Sequence, residues 1–202
     1  MNAAGAVELA ALVEDVARAF TEADSLNPVW VSQRSGRAYL PGIGPHAENA
    51  AVALMLVSLR SNPRYTAIPL GQFLPYPNAP RQKCDLWVGE PPEWAIEVKM
   101  ARFRGDNGKP DDTAIKDLLS PYESDRSALT DALKLARSDL SSRKAILIYG
   151  FEYPDRQLEP AIDAFETLAR RQVALGPRCQ AAMGPLVHPV HKEGRVYGWE
   201  VT

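Results

Sequence analysis

The apolar run at residues 144–153, KAILIYGFEY, constrains the fold of this chain more than any other segment. It lacks the alternation of a half-solvated strand, so it predicts a strand at the centre of a sheet, covered on both faces. Two more strands are predicted at 84–88 and 94–100, on either side of a Gly/Pro-rich turn. With amphipathic segments around them, the chain is expected to form an α/β domain whose central mixed β-sheet is flanked by helices.

Four segments have the three- and four-residue apolar spacing of helices, at about 3–23, 46–60, 120–138 and 159–174. In the second segment, Pro45 is predicted at the first helical position and Asn62 marks the end. In the third, Ser120 precedes a proline and is followed three residues later by Glu123, which is the pattern of a helix start. These helices are expected to cover the sheet.

The chain is expected to be one domain covering residues 1–202. We divide it into an N-terminal helix and extension (1–44), a core (45–150) and a C-terminal part (151–202). The C-terminal part is predicted to hold a helix and a β-hairpin turning at 192–194. The polar stretch 103–117 contains no core-forming run and is predicted to be a mobile loop.

Charge excludes a chain that binds nucleic acid through a general positive surface, because the formal net charge is -2. Any contact with nucleic acid must come from a local basic patch, from a homodimer or from a targeting partner protein. The only cysteines, Cys84 and Cys179, lack zinc-ligand spacing and form no disulfide framework. No apolar stretch reaches the length of a membrane span. We therefore expect a cytoplasmic protein with no membrane contact.

Asp85 and the tripeptide Glu97-Val98-Lys99 form a candidate site on two neighbouring strands. Side chains alternate along a strand, so Glu97 and Lys99 share one face while Val98 lies on the other. If the intervening turn pairs the strands as a hairpin, the carboxylates of Asp85 and Glu97 converge within reach of one metal ion. The alternatives are an edge strand with one solvated face, and an aspartate that serves only the turn.

The chemistry of this group matches a divalent cation beside a phosphate. Mg²⁺ prefers oxygen ligands and commonly uses one or two carboxylates together with water and phosphate oxygens. An ammonium such as that of Lys99 can orient the attacking water and offset charge that develops on phosphorus. Glu48 shares the inward stripe of its helix with Val52 and Met55 and is a candidate fourth member. Alternatively, Glu48 only complements the helix dipole.

The order of these elements resembles the PD-(D/E)XK nuclease superfamily, which has the restriction-endonuclease-like fold. The order is a helix with Glu48, a strand, a strand with Asp85, a strand with Glu97-x-Lys99, a helix and a strand. It is similar in particular to members with an added glutamate from the first core helix, such as archaeal Holliday-junction resolvases and phage-type exonucleases. The resemblance covers the core segment defined above. Cys84 stands where the family motif has proline, a position at which the family is itself loose.

The resemblance implies a divalent-metal-dependent nuclease that hydrolyses phosphodiester bonds, with DNA endonuclease action and Mg²⁺ or Mn²⁺ as cofactor. It makes Asp85 and Glu97 metal ligands and offers the Val98 carbonyl as another. It assigns Lys99 to the water nucleophile, and Glu48 to the metal or to positioning the water. A noncatalytic nuclease-fold module that binds nucleic acid or scaffolds a complex, and a metal-binding interaction protein, are the alternatives.

Six basic residues near this motif are candidate contacts for a DNA backbone, since phosphate binding requires local positive charge. They are Arg81, Lys83, Arg102, Arg104, Lys116 and Arg126. Ordinary solvated surface charge is the alternative for each of them. His188 and His191 form a candidate metal pair, but Pro189 interrupts the spacing and no acid lies close in sequence. Histidines of a surface loop are the alternative interpretation.

Overall fold

A computed structural model describes residues 7–141 and 143–202. Within these residues the helices are α1 (Leu9–Ser25), α2 (Glu48–Ser61), α3 (Thr113–Leu119), α4 (Ala128–Ala136) and α5 (Glu159–Ala169). The strands are β1 (Leu70–Gly71), β2 (Leu74–Tyr76), β3 (Ala79–Cys84), β4 (Leu86–Val88), β5 (Trp94–Ala101), β6 (Arg143–Glu152), β7 (Cys179–Met183) and β8 (Glu193–Glu200). No helix in the described ranges is long and apolar enough to cross a membrane.

Six of the strands form one mixed sheet in the order β1-β4-β5-β6-β8-β7. β5 and β6 run parallel, and the other neighbours are antiparallel. The predicted central strand is confirmed: every residue of β6 from Ala145 to Phe151 is buried. The α/β prediction with a mixed central sheet is therefore confirmed. β2 and β3 form a separate two-stranded hairpin.

Helices cover both faces of the sheet. α1 packs against α2, β7 and β8, while α3 and α4 pack against β5 and against each other. The inward stripe of α1 is buried, and its Phe20 stacks on Tyr149 of β6 with ring centroids 4.4 Å apart. The predicted N-terminal helix is thus present from Leu9, and the part predicted within residues 1–6 lies outside the described residues.

The third predicted helix begins later than expected. Its N-cap is Ser127, whose hydroxyl accepts the amide hydrogen of Thr130 at 3.2 Å. Ser120 instead ends α3, and its hydroxyl donates to Asp125 at 2.6 Å. Serine is a common residue at helix caps. Here Ser120 ends α3 and Ser127 begins α4. The prediction of a helix start at Ser120 is wrong.

Three further expectations are corrected. The stretch predicted as a loop contains α3, which exists because Ala114 and Leu118, four residues apart, are both buried. α2 begins at Glu48 rather than at Pro45. Glu193 and Gly194 are paired within β8, so the C-terminal connection spans residues 184–192 and is not a tight turn. β3, whose residues are mostly exposed and polar, was not expected as a strand.

Candidate active site

The sheet has an open edge beside the second half of β5. β4 pairs only with the first residues of β5, from Trp94 to Ile96. Asp85 immediately precedes β4, so the antiparallel direction places it where that pairing stops. There the amide of Val98 donates to Asp85 Oδ2 at 2.9 Å. The side chain of Asp85 thus replaces a partner strand at this position.

Glu97 and Lys99 lie on one face of β5, as the alternation predicted. The Glu97 side chain is only 3% exposed, and its carboxyl group lies within hydrogen-bonding reach of Asp85. The hydroxyl of Tyr76 donates to Glu97 Oε1, and the ammonium of Lys134 lies 2.7 Å from the same oxygen. The structure therefore brings the predicted carboxylate pair together.

Glu48 reaches the same open edge from the first turn of α2. Its Oε2 accepts the amide hydrogen of Met100 at 2.6 Å, and its Oε1 lies 3.7 Å from Lys99 Nζ. The helix-dipole interpretation also holds, because Glu48 is the acidic residue of that first turn. The four charged residues predicted from the sequence, Asp85, Glu97, Lys99 and Glu48, thus form one cluster.

The carbonyl of Val98, predicted as a further ligand, is directed to this edge as well. In a β-strand the N–H and C=O of one residue point to the same side, which is why paired antiparallel residues exchange both bonds. The Val98 N–H is bonded to Asp85, so the Val98 carbonyl faces the side on which Asp85 and Glu48 lie. Backbone and carboxylate oxygens therefore converge at the open edge of β5.

Sequence reasoning missed three members of the cluster. Asp131 Oδ2 lies 3.1 Å from Lys99 Nζ, and Asp131 Oδ1 lies 2.9 Å from Lys134 Nζ. The signal was present in α4, where Ala128, Asp131, Ala132 and Leu135 recur at helical spacing and are buried. The spacing of Leu129, Leu133 and Ala136 equally predicts an inward face one residue further along, and these three residues are buried or partly buried as well. Tyr76 gave no local signal, because the β2–β3 hairpin carries it to the site.

Burial governs the protonation of the carboxyl groups. It raises the pKa of Glu97 to about 8, helped by the negative charges of Asp85 and Asp131. Burial also raises the pKa of Asp85 and of Glu48, although Lys99 opposes the shift of Glu48. Burial disfavours the charged form of Lys99, but the carboxylates of Glu48 and Asp131 outweigh it and raise the Lys99 pKa. Protonated lysines are therefore stable in this cluster, whereas ionisation of all its carboxyl groups together is unfavourable.

The cluster has a deficit of positive charge. Its four carboxyl groups belong to Glu48, Asp85, Glu97 and Asp131, and its two ammonium groups to Lys99 and Lys134. With every group ionised, the four carboxylates outnumber the two ammonium groups and leave two negative charges without a counter-charge. Protons can make up this difference, and so can one divalent cation.

The cluster lies in a cleft of about 800 Å³. Basic residues of the cleft lining, besides Lys99 and Lys134, are Arg81, Lys83, Arg126 and Arg137. Phe73 also lines the cleft, with 43% of its surface exposed and Lys83 Nζ 5.7 Å from its ring centroid. Its φ of 66° is rare for a bulky residue, and such conformations concentrate at functional sites. The acidic cluster is thus open to a ligand that carries negative charge.

The structure places three of the six basic residues predicted as DNA contacts in the cleft and three elsewhere. Arg81, Lys83 and Arg126 line the cleft, whereas Arg102, Arg104 and Lys116 do not. Three positions beyond Lys99, Arg102 emerges on the opposite face and donates to the Gly44 carbonyl. Arg104 pairs with Asp155, and Lys116 pairs with Asp125 at 2.9 Å.

Comparison of the chain with protein-family models, with curated proteins and with solved structures finds no match. The cleft combines clustered carboxylates, a charged lysine and a basic rim.

Proposed function

We propose that this protein is a divalent-metal-dependent nuclease, most simply a DNA endonuclease, with a restriction-endonuclease-like core of the PD-(D/E)XK type. One observation carries the proposal: Asp85, Glu97, Lys99 and Glu48 meet at the open edge of β5, on the floor of a basic cleft. The resemblance described above depends on these four residues, and their convergence at one edge of the sheet supports it.

The oxygen atoms of the cluster fit Mg²⁺ or Mn²⁺. One oxygen each of Asp85, Glu97 and Glu48 already accepts a hydrogen bond. The carboxyl groups of Asp85 and Glu97 contact each other. No other N–H or O–H group of the described residues donates to the second oxygen of either group. Hard cations take such oxygens as ligands, and a divalent ion also supplies the missing charge. When bound, the ion would stabilise negative charge on the phosphate and lower the pKa of a water.

The position of Lys99 between the carboxylates of Glu48 and Asp131 supports a role as a fixed positive charge. At neutral pH the ammonium stays charged, so Lys99 cannot accept a proton. It can orient the attacking water by hydrogen bonding and offset the negative charge that develops in the transition state. Glu48 is a carboxylate of raised pKa 3.7 Å from Lys99 Nζ, so it is the better candidate to receive the proton that the water loses.

The rim of the cleft supports a polyanionic substrate. Arg81 and Lys83 lie on the β2–β3 hairpin, while Arg126 and Arg137 lie at the two ends of α4. Both elements thus contribute positive charge to the lining of the cleft that holds the acidic cluster. A DNA backbone laid between them would meet the basic rim first and bring one phosphate to the floor.

The decisive experiment is a cleavage assay on supercoiled plasmid, linear duplex, single strands, branched DNA and RNA. We expect cleavage in Mg²⁺ or Mn²⁺ and none in EDTA, because the proposed mechanism needs a bound cation to lower the pKa of the attacking water. Asp85→Asn should abolish it. Cleavage that survives EDTA or this variant rules out the proposed site. Metal-dependent binding without cleavage of any substrate favours the noncatalytic nucleic-acid-binding module instead.

Lys83→Ala is expected to weaken DNA binding without changing the sequence preference of the protein. One lost phosphate contact should reduce the salt dependence of the binding constant, log K against log [salt], by about one unit. Fluorescence anisotropy with duplex DNA in Ca²⁺, at a series of salt concentrations, measures this slope. Lys116→Ala is the matched control, since Lys116 does not line the cleft. Equal losses in both variants would contradict the assignment of the rim.

A further inference from the structure

A second polar cluster lies outside the cleft, where the segment after β5 meets the connection between β7 and β8. It consists of Asp106, His188 and His191, whose ligand-type atoms all lie within 4.8 Å of one another. His191 Nε2 is 3.5 Å from Asp106 Oδ1. The sequence placed no acid near the two histidines, and the fold supplies one.

The polar atoms of this cluster lack partners. Asp106 Oδ1, His188 Nε2 and His191 Nε2 are all buried, and none has a hydrogen-bond partner among the described residues. Both imidazole rings are fully buried. Buried polar atoms are almost always satisfied, because leaving one unpaired costs the lost hydration. Three unpaired atoms converging on one point indicate a ligand shared by all of them.

The surroundings of His191 prepare it as a metal ligand. Its Nδ1 lies 2.9 Å from the hydroxyl of Tyr153, so a proton on Nδ1 can be donated there and the lone pair of Nε2 left free. The Nε2 atom of His191 is then directed at Asp106 and His188 with its lone pair available to a metal ion.

Metal binding through His188 costs free energy. The amides of Val190 and His191 point at its Nδ1 at 3.2 and 3.3 Å, which places the ring proton on Nε2. Ligation through Nε2 requires the proton to move to Nδ1 and gives up these two long bonds. The nearby Arg102 also disfavours a cation, while the carboxylates of Asp106 and Asp24 favour one. Metal binding has to exceed this cost.

We propose that Asp106, His188 and His191 bind a transition-metal ion of the Zn²⁺ type. Two imidazole nitrogens and one carboxylate oxygen are a ligand set that Zn²⁺ uses, with the fourth position left to water. Mg²⁺ is disfavoured here because it takes oxygen ligands. The ion would join the segment after β5 to the β7–β8 connection and so stabilise the fold. This site is independent of the nuclease proposal.

The test uses the full chain carrying Asp85→Asn and Glu97→Gln, so that the cleft does not contribute. Metals are first removed with EDTA and desalting, and Zn²⁺ binding is then measured by calorimetry in excess Mg²⁺. Elemental analysis measures the zinc that the protein retains after it has been loaded with Zn²⁺ and desalted again. We expect one Zn²⁺ per chain and a higher melting temperature with Zn²⁺. Adding Asp106→Asn should weaken affinity by at least about tenfold. Asp112→Asn, an exposed carboxylate nearby, is the matched control.

A second variant tests the same site in case the protein carrying Asp106→Asn does not fold. His191→Gln retains a polar side chain of similar size, and it should also lose Zn²⁺ while its circular dichroism stays native. Co²⁺ gives an independent readout, since its visible absorption changes when imidazole enters its coordination sphere. Absence of a bound Zn²⁺, or unchanged affinity in Asp106→Asn and His191→Gln, overturns the proposal. In that case a buried water satisfies the three atoms.

Discussion

Lys99→Met is expected to lower the rate of DNA cleavage by about 10²- to 10³-fold at saturating Mg²⁺, the usual cost of removing one group that stabilises developing charge. Methionine fills a similar volume but cannot donate a hydrogen bond or carry charge. The Lys99 ammonium lies between Glu48 and Asp131, so its loss also leaves two carboxylates without their shared cation. Single-turnover kinetics, with enzyme in excess over labelled duplex, measure the chemical step.

Two comparisons separate this chemical role from a structural one. Lys116→Met also removes an ammonium, but Lys116 lies outside the cleft and is 61% exposed, so its cleavage rate should match that of the wild type. Mg²⁺ binding by Lys99→Met, measured by calorimetry, should persist because the oxygen ligands remain. Wild-type cleavage by Lys99→Met, or an equal loss in Lys116→Met, would contradict the role assigned to Lys99.

The parts of the site that the sequence predicted depend on local periodicity. Glu97 and Lys99 share a face because side chains alternate along any strand. Glu48 lies on the inward stripe of an apolar helix, which could be identified from residue spacing alone. Asp85 required one further assumption, that the turn pairs its flanking strands, and the register of β4 with β5 meets it. Short-range patterns therefore sufficed for these residues.

The remaining parts depend on contacts that no local pattern specifies. Asp131 was missed because the inward face of α4 is set by its packing on the sheet, and two adjacent stripes were both apolar enough to be chosen. Tyr76 reaches Glu97 only because the β2–β3 hairpin folds over the site. Asp106 meets the two histidines across most of the C-terminal half of the chain. Such residues become neighbours only through the assembled sheet.

Glu97→Gln is expected to abolish cleavage and, in the absence of divalent metal, to stabilise the folded chain by a few kcal/mol above about pH 8. The pKa of Glu97 is about 8 in the folded protein, against an ordinary value of 4.5. Between these values the folded chain binds more protons than the unfolded chain. The free energy of unfolding of the wild type therefore falls as pH rises through this window, and glutamine removes that loss.

Metal should narrow the difference in stability between the two proteins. Mg²⁺ favours the ionised carboxylates, so it is expected to stabilise the wild type by about 2.7 kcal/mol at a concentration one hundred times its Kd, and to stabilise Glu97→Gln much less. Urea denaturation at about pH 5.5 and about pH 8.5, with EDTA or Mg²⁺, measures the free energy of unfolding of each protein under each of these conditions. A variant that is less stable than the wild type in EDTA at the higher pH would show that the charged form of Glu97 is already satisfied by Lys134 and Tyr76. The buried carboxylate would then have no need of a cation, and the reason for placing a metal at the open edge of β5 would be lost.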